Sequence, residues 1–325
     1  MYFSIKKISG HKYHYASDTI YVTRGTTTLK NKSLGRIDNP LEQRWREAAE
    51  FEGYIVREEV KARLAYWTLK IIHPKGFVYH LEKLERLRSS LHRRRESVGI
   101  VGNSGLEAAF KTDFIYNSNK LEGSKIPRAT IEETIKRGDN KNKEIANSLA
   151  ALAYIRDQKD FSSIRRLIKL HTALMSHEPN NLGLRKEPVV VGNFDTLPFT
   201  EIPAALRELF DWYDKANTTM YPPELAFMFY YRFERIHPFR DGNGRTGRML
   251  MNAILKEHKY HPIIIWNRNR DAHMSAFEHA IHGQIHKYLQ FMNEQMAVTY
   301  EIYLEKIQKA QDIEKNIEKT FFEIT

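Results

Sequence analysis

Apolar positions along this chain recur at two periods. Residues 1–36 are rich in Tyr, Thr, Val and Ile, with turn signals at Ser9-Gly10, Ser17-Asp18 and Arg24-Gly25, a pattern that predicts a small antiparallel β-meander. From residue 39 to about 95 the spacing turns helical: Leu81, Leu84, Leu87 and Leu91 recur at three and four, with charges on the other faces. Ser104 and Glu107 form a capping box that predicts a helix start; Phe110 and Phe114 share its face and Gly123 stops it, giving a helix over 104–123. Thr130 with Glu133 predicts another start, and helical spacing covers 143–155 and 163–175. One stretch breaks the pattern. Over 187–194, β-branched Val189, Val190 and Val191 run into Gly192-Asn193, which predicts a short hairpin. Helices resume after Pro203 and after Pro222-Pro223. There Leu225, Phe229, Phe233 and Ile236 form one stripe, with Glu224, Arg232 and Arg235 off it, as expected for a buried helix. Residues 287–322 predict a terminal helix that packs on the core or on a second copy of the chain. The expected organisation is a meander over 1–36, a helical region over 37–100, a mostly α core over 101–285 and a helical extension over 286–325.

Composition narrows the function classes. With 42% hydrophobic and 12% aromatic residues, the 325-residue chain can bury one large core or two smaller ones. Lys and Arg outnumber Asp and Glu by 51 to 40, and the resulting +11 attracts polyanions, nucleotides or acidic surfaces without choosing among them. A basic nucleic-acid-binding or scaffold protein is therefore the rival from another class. No recognised nucleic-acid motif supports it, and nucleic acid is not the expected partner. The run Leu91-His92-Arg93-Arg94-Arg95 reads as solvated, dipole-compensating surface at a helix end. The absence of cysteine leaves no disulfides or thiolate metal sites. No signal-peptide h-region and no membrane-length apolar run is seen, so the cytoplasm is the expected compartment, with no membrane partner.

The segment 236–250, IHPFRDGNGRTGRML, carries the chemistry. It joins the buried helix to a second one on which Met249, Leu250, Ile254 and Leu255 recur at helical spacing. Gly242 and Gly244 are expected to take positive φ and present backbone N–H groups at a helix N-terminus, an anion site suited to phosphate. Residues 242–247 also spell the dinucleotide pattern GxGxxG, but that fingerprint needs a preceding strand in a βαβ unit, and a helix precedes it here. A Walker A loop is excluded because no Gly-Lys-Ser/Thr follows. His237, five residues before the first glycine, is a candidate general base. Asp241 offers a hard oxygen for Mg²⁺ bridging phosphates. Arg245 and Arg248, three apart, share a helix face as phosphate donors. His279, His282 and His286 suggest a metal site, but Gly283 replaces the glutamate of HExxH, so packing or surface histidines are expected.

HPFRDGNGRTGR, His237 to Arg248, matches the Fic family signature HxFx(D/E)GNGRxxR at every defined position. The resemblance extends from about Ser104 to Gln290, through Leu170-His171, Gly183-Leu184-Arg185, Ile202-Pro203 and Trp212. It implies a mostly α, Fic-type helical core with a short β-hairpin flap, and an ATP- and Mg²⁺-dependent transfer of AMP to a Ser, Thr or Tyr hydroxyl of a protein, the chain itself included. By the same resemblance His237 is the base and Asp241 the Mg²⁺ ligand, while Phe239 anchors the loop. Gly242, Asn243, Gly244 and Gly247 hold the nucleotide near the α-phosphate, and Arg245 and Arg248 hold the β- and γ-phosphates. A small residue at Gly244 implies the AMP-transferring orientation. The hairpin at Val190, Val191 and Gly192 resembles the flap that holds a target by strand addition. His273 stands where relatives often carry Tyr near the nucleobase. Finally, Ser118-Asn119-Lys120-Leu121-Glu122-Gly123 resembles the inhibitory motif (S/T)xxxE(G/N), which implies Glu122 pairing with Arg248 as a brake. Removal of AMP from a modified protein, with Glu122 orienting water, is the alternative direction.

Overall fold

The computed structural model describes residues 1–325 apart from positions 24, 69, 72–77, 97, 140, 158–162, 192–193 and 325. Two compact units divide the chain, Met1–Ser97 and Val98–Thr325. In the first, β1 (Tyr2–Ile8), β2 (His11–Thr23) and β3 (Thr26–Arg36) form an antiparallel sheet in the order β1-β2-β3, with α1 (Leu41–Trp67) packed on it and α2 (Val78–Glu96) packed on α1. The β1–β2 turn uses Ser9 and Gly10, both at positive φ. Ser17-Asp18 is not a turn: both residues lie inside β2, where Ser17 Oγ donates to Asn31 Oδ1 and Asp18 pairs with Arg93. Alternation puts Ala16 and Ile20 against Ala48, Phe51 and Ile55 of α1. Arg93 corrects the expectation of a solvated basic helix end. It is buried, bonded to Asp18 and, at 2.7 Å, to Glu59, in a network that also holds Arg63, Glu85 and Arg88. Buried charges require such partners, and these acids lie too far off in sequence to be paired by inspection.

The second unit is almost wholly helical among the described residues: α3 (Ile100–Leu121), α4 (Arg128–Arg137), α5 (Lys143–Asp157), α6 (Ile164–Met175), α7 (Ile202–Ala216), α8 (Pro222–Ile236), α9 (Asn243–Glu257), α10 (Arg270–Ile281) and α11 (Ile285–Ile324). Between α6 and α7, β4 (Val190–Val191) pairs antiparallel with β5 (Phe194–Asp195), as the 187–194 pattern predicts. Neither expected capping box is a helix start. Helix α3 begins at Ile100 after extended Gly99, and α4 begins at Arg128 after extended Pro127, so Ser104 and Thr130 are interior residues. For α4, a ready φ at Pro127 and the bonds from Arg128 to Asp113, 2.9 and 2.7 Å, move the N-cap three residues earlier.

Helix α8 is the core of this unit. Leu225, Phe229 and Phe233 are fully buried as the stripe predicts, but so is Glu224, which the pattern had placed on the polar face. Helices α7, α9 and α11 pack around α8. Helix α11 packs on the core along its first half. Its Tyr288, Leu289, Met292, Met296, Tyr300 and Tyr303 are buried within the unit, Tyr288 Oη donates to the Phe227 carbonyl at 2.9 Å, and Tyr300 Oη to the His261 carbonyl at 2.7 Å.

Candidate active site

Helix α8 ends in an unusual conformation. His237 caps it at φ 49° and ψ 61°, a left-handed backbone that costs a non-glycine residue about 1–2 kcal/mol. Its N–H bonds the Phe233 carbonyl at 3.0 Å, closing the last turn. The chain then plunges inward. Phe239 is fully buried and lies face to face on His171, with ring centroids 3.6 Å apart and planes 8° apart. His171 Nε2 bonds the Asp241 carbonyl at 2.8 Å, and burial lowers its pKa to about 4, so the ring stays neutral and donates. Asn243 closes the loop from the other side: its Oδ1 accepts from Phe239 N–H and its Nδ2 donates to the Phe239 carbonyl, both at 2.9 Å. Gly242 sits at φ 78°, with Met175 and His171 filling the place of a side chain, and α9 starts directly after it. A backbone amide cluster at a helix N-terminus results, the arrangement that favours anions.

A cavity of about 360 Å³ opens over this loop. Its walls include Glu122 from the end of α3, Glu234 and His237 from α8, Asp241, Gly242 and Gly244 from the loop and α9, Arg248, Thr196 beside the hairpin, and His273 of α10. Arg235, Arg240 and Arg270 add positive charge to the same walls. His237 is held neutral: burial and, less strongly, the Arg185 charge bring its pKa to about 4, against the opposing pull of the Glu234 backbone, Glu122 and Asp241. A neutral imidazole is the form a proton acceptor needs. Glu234, 3.8 Å from His237 Nδ1, has the reverse shift, pushed up to about 8 by burial and by the Glu122 charge, with Arg248 opposing. Around pH 7 it is mostly protonated. His273 is buried between Tyr230 and Phe291, with ring centroids at 6.0 and 5.6 Å; burial, then Arg248 and Arg270, lower its pKa to about 3.

All three nitrogens of the Arg248 guanidinium are hydrogen-bonded. Nη2 meets Glu122 Oε1 at 2.6 Å and the Ser118 carbonyl at 2.8 Å, Nε donates to Ser118 Oγ at 2.9 Å, and Nη1 reaches Tyr230 Oη at 3.3 Å. Burial alone would lower its pKa, but the charges of Glu122 and Glu234 and the Tyr230 hydroxyl outweigh this and hold it above the usual range. The Glu122 carboxylate lies where a Gly244 side chain would be. Gly244 is helical, not at positive φ as expected; what it supplies is space, since any Cβ there would collide with Glu122 and Arg248.

Several expected site residues are thus brought together: His237, Asp241, Gly242, Gly244, Arg248 and Glu122 face one cavity, and Ser118 holds Arg248 from behind. Arg245 and Gly247 stand outside that cavity, and Asn243 lines it with its side-chain polar atoms already bonded to Phe239. Arg245 does not share the cavity with Arg248; its Nη2 pairs with Asp241 Oδ1 at 3.2 Å, four residues back along the chain. The Asn243 side chain faces the backbone of Phe239, leaving only its backbone for a ligand. Gly247 lies against the Tyr230 ring, where it allows α8 and α9 to approach closely. In the hairpin Val190 is exposed and pairs with Asp195, Val191 pairs with Phe194, and Gly192 falls outside the described residues. Among the described residues no group of three His, Asp or Glu side chains gathers to hold a metal, His279, His282 and His286 included. Sequence reasoning passed over Tyr230 and Glu234, although the latter stands one helical turn before His237, and gave Arg185 no role.

Comparison with known proteins adds an independent line. Residues 161–255 match the Fic/DOC family. The chain is 30% identical over 237 residues to the protein adenylyltransferase Fic of Drosophila melanogaster, covering 69% of this chain and 48% of that protein. It is 29% identical over 248 residues to the protein of that name from Culex quinquefasciatus, covering 70% and 49%. It therefore spans about half the length of the curated relatives it matches. Among solved structures, a Fic domain containing signaling protein from Bacteroides thetaiotaomicron superposes with a TM-score of 0.64 at 20% identity, covering 70% of this chain and 97% of that one. A fragment of Fic-1 from C. elegans superposes with a TM-score of 0.60 at 18% identity, covering 82% and 88%. At these identities the superpositions speak for the fold.

Proposed function

We propose, from the premise that this chain carries a Fic domain, that it transfers AMP from ATP to a hydroxyl of a protein, and that Glu122 holds it inactive. The observation that carries the reading is a neutral His237 facing the same cavity as an anion-binding helix N-terminus and an arginine occupied by a carboxylate. In the transfer, the target hydroxyl oxygen attacks the α-phosphorus, the bond from that phosphorus to the bridging oxygen breaks, and pyrophosphate leaves. The hydroxyl proton passes to His237. Little covalent work falls to the protein; positioning and charge neutralisation are what it supplies. The amides after Gly242 hold the phosphate region and Arg248, once free, the terminal phosphates.

Mg²⁺ fits this site through one group, Asp241, whose carboxylate lines the cavity with its side chain 43% exposed. Mg²⁺ bound by one or two carboxylates with phosphates and water needs no larger protein cage, and it would neutralise developing charge on the pyrophosphate. Arg245, paired to Asp241 Oδ1, orients that carboxylate. The brake follows from charge and space together. Glu122 occupies the cation that γ-phosphate requires and lays negative charge over Gly244.

The test is label transfer from α-³²P-ATP with Mg²⁺ to the protein itself, comparing wild type, Glu122→Gly and Glu122→Gly/His237→Ala. Label on Glu122→Gly that disappears in the double variant is the expected result. Equal labelling of wild type and Glu122→Gly would overturn the brake, and labelling that survives His237→Ala would overturn the base.

A further inference from the structure

Arg185 lies on neither α8 nor α9, yet it touches the catalytic segment and both stems of the hairpin. Its backbone N–H donates to the Pro238 carbonyl at 2.9 Å. Its guanidinium spreads over three further carbonyls: Nε to His237 at 2.8 Å, Nη1 to Glu187 at 3.0 Å, and Nη2 to Leu197. Residue 187 precedes β4 and residue 197 follows β5, so one planar group spans the base of the hairpin and the backbone of the proposed base. The residue is buried, 5% exposed, and burial lowers its pKa from the ordinary guanidinium value. Keeping a cation there needs a reason beyond filling space, because apolar residues fill space without the desolvation cost.

The geometry points to a positioning role: we infer that Arg185 locks the hairpin stems and the left-handed His237 backbone into one rigid piece, so that a target segment aligned on the hairpin presents its hydroxyl at the imidazole. This deepens the proposed reaction and rests on it. Three features favour the assignment. His237 is held at φ 49°, so its carbonyl needs a fixed partner to keep that direction. Only a guanidinium offers donors that diverge in one plane; an ammonium presents three donors from a single point and cannot reach acceptors on three segments. The hairpin itself is two residue pairs long, too short to be rigid alone, so its direction must come from its stems.

The test uses the full chain carrying Glu122→Gly as parent, with Arg185→Lys added. Against the parent, Arg185→Lys is expected to lower the rate of label transfer from α-³²P-ATP by between about tenfold and 100-fold, the range that an ångström of misalignment produces. The KM for ATP should change by less than about twofold, since no contact on the nucleotide side is touched. A second readout needs no activity. Amide hydrogen exchange of peptides carrying Glu187–Val191 and His237–Asp241 should accelerate in both together, while peptides from α11 stay unchanged. Transfer at the parental rate with unchanged exchange would overturn the inference. Loss of ATP affinity in step with rate, or faster exchange in one segment only, would also overturn it, because either outcome marks Arg185 as general packing. A parent that transfers no label would count against the proposed reaction, and the exchange experiment would still decide the coupling.

Discussion

At the scale of single residues, the Arg248 pocket gives graded predictions. Replacing Glu122 by Gly frees the guanidinium and clears the space over Gly244, and should raise label transfer on the order of tenfold or more, equivalent to about 1.4 kcal/mol. Ser118→Ala removes one hydrogen bond to Nε but keeps the Ser118 carbonyl on Nη2. A single such bond is worth about 0.5–1.5 kcal/mol, so activation of about two- to tenfold is expected, below that of Glu122→Gly. The same label assay checks both, and a Ser118→Ala protein as active as Glu122→Gly would show that the serine, not the carboxylate, sets the brake. This pocket also shows what the sequence could say. Motif spacing placed His237, Asp241, Gly242, Gly244 and Arg248 in one site because consecutive positions on a loop and helix start must be near one another, whereas Glu122 was placed there only by the resemblance of 118–123 to the inhibitory motif. It could not say which neighbours turn inward. Arg245 pairs with Asp241 and the Asn243 side chain with Phe239, because a loop that dives into the core must satisfy its own backbone and charges before it can bind anything else. Tyr230 and Glu234 were invisible for the complementary reason: on a helix buried over most of its surface, with Arg232 and Arg235 exposed, inward polar side chains carry no periodic signal.

At the scale of elements, the brake is only as well placed as the end of α3. Gly123 takes φ 90°, its N–H bonds the Lys120 carbonyl at 3.0 Å, and Ser124 N–H bonds Asn119, so the helix stops with Glu122 as its last turn closes. A Gly123→Ala protein must hold an alanine at that φ, at a cost of about 1 kcal/mol, and should show partial activation with a small fall in Tm. Unchanged activity with a lowered Tm would separate helix ending from Glu122 placement. The far side of α3 is tied through Asp113, which receives Arg128 of α4 at 2.7 Å, Tyr303 Oη at 3.1 Å and Lys306 Nζ at 2.6 Å, the last two from α11. Asp113→Ala strips a buried acceptor from two cations that are themselves part exposed, so a loss of about 1–3 kcal/mol is expected, read as a lowered denaturation midpoint. Helix periods announced α3 and α11 clearly, whereas the starts of α3 and α4 were misread: a capping box is informative only where the chain before it cannot be helical, and residues 100–103 continue α3 backwards to Gly99.

At the scale of the whole molecule, buried titratable groups give folding a pH dependence that no composition could reveal. His171 and His237 have pKa values of about 4 and His273 of about 3, all depressed mainly by burial from an ordinary 6.5. As pH falls below 6.5 the unfolded chain takes up protons that the folded one refuses, so these histidines withdraw stability progressively until their folded pKa values are reached. Glu234 acts in the opposite sense. With a folded pKa of about 8 against an ordinary 4.5, it stabilises the fold most at low pH and loses that contribution as pH rises from 4.5 towards 8. Between pH 6.5 and 4.5 three histidines oppose one carboxyl, and net stability should fall on acidification. His273→Phe isolates one share: a phenyl ring suits a slot between Tyr230, Phe277 and Phe291 and cannot titrate. Its denaturation midpoint should depend less steeply on pH than that of wild type from 6.5 down to 4.5, by up to about 1.4 kcal/mol per pH unit. An unaltered slope would mean that His273 protonates as readily in the fold as in the open chain, and that the aromatic slot beside Arg248 is wetter than its burial implies.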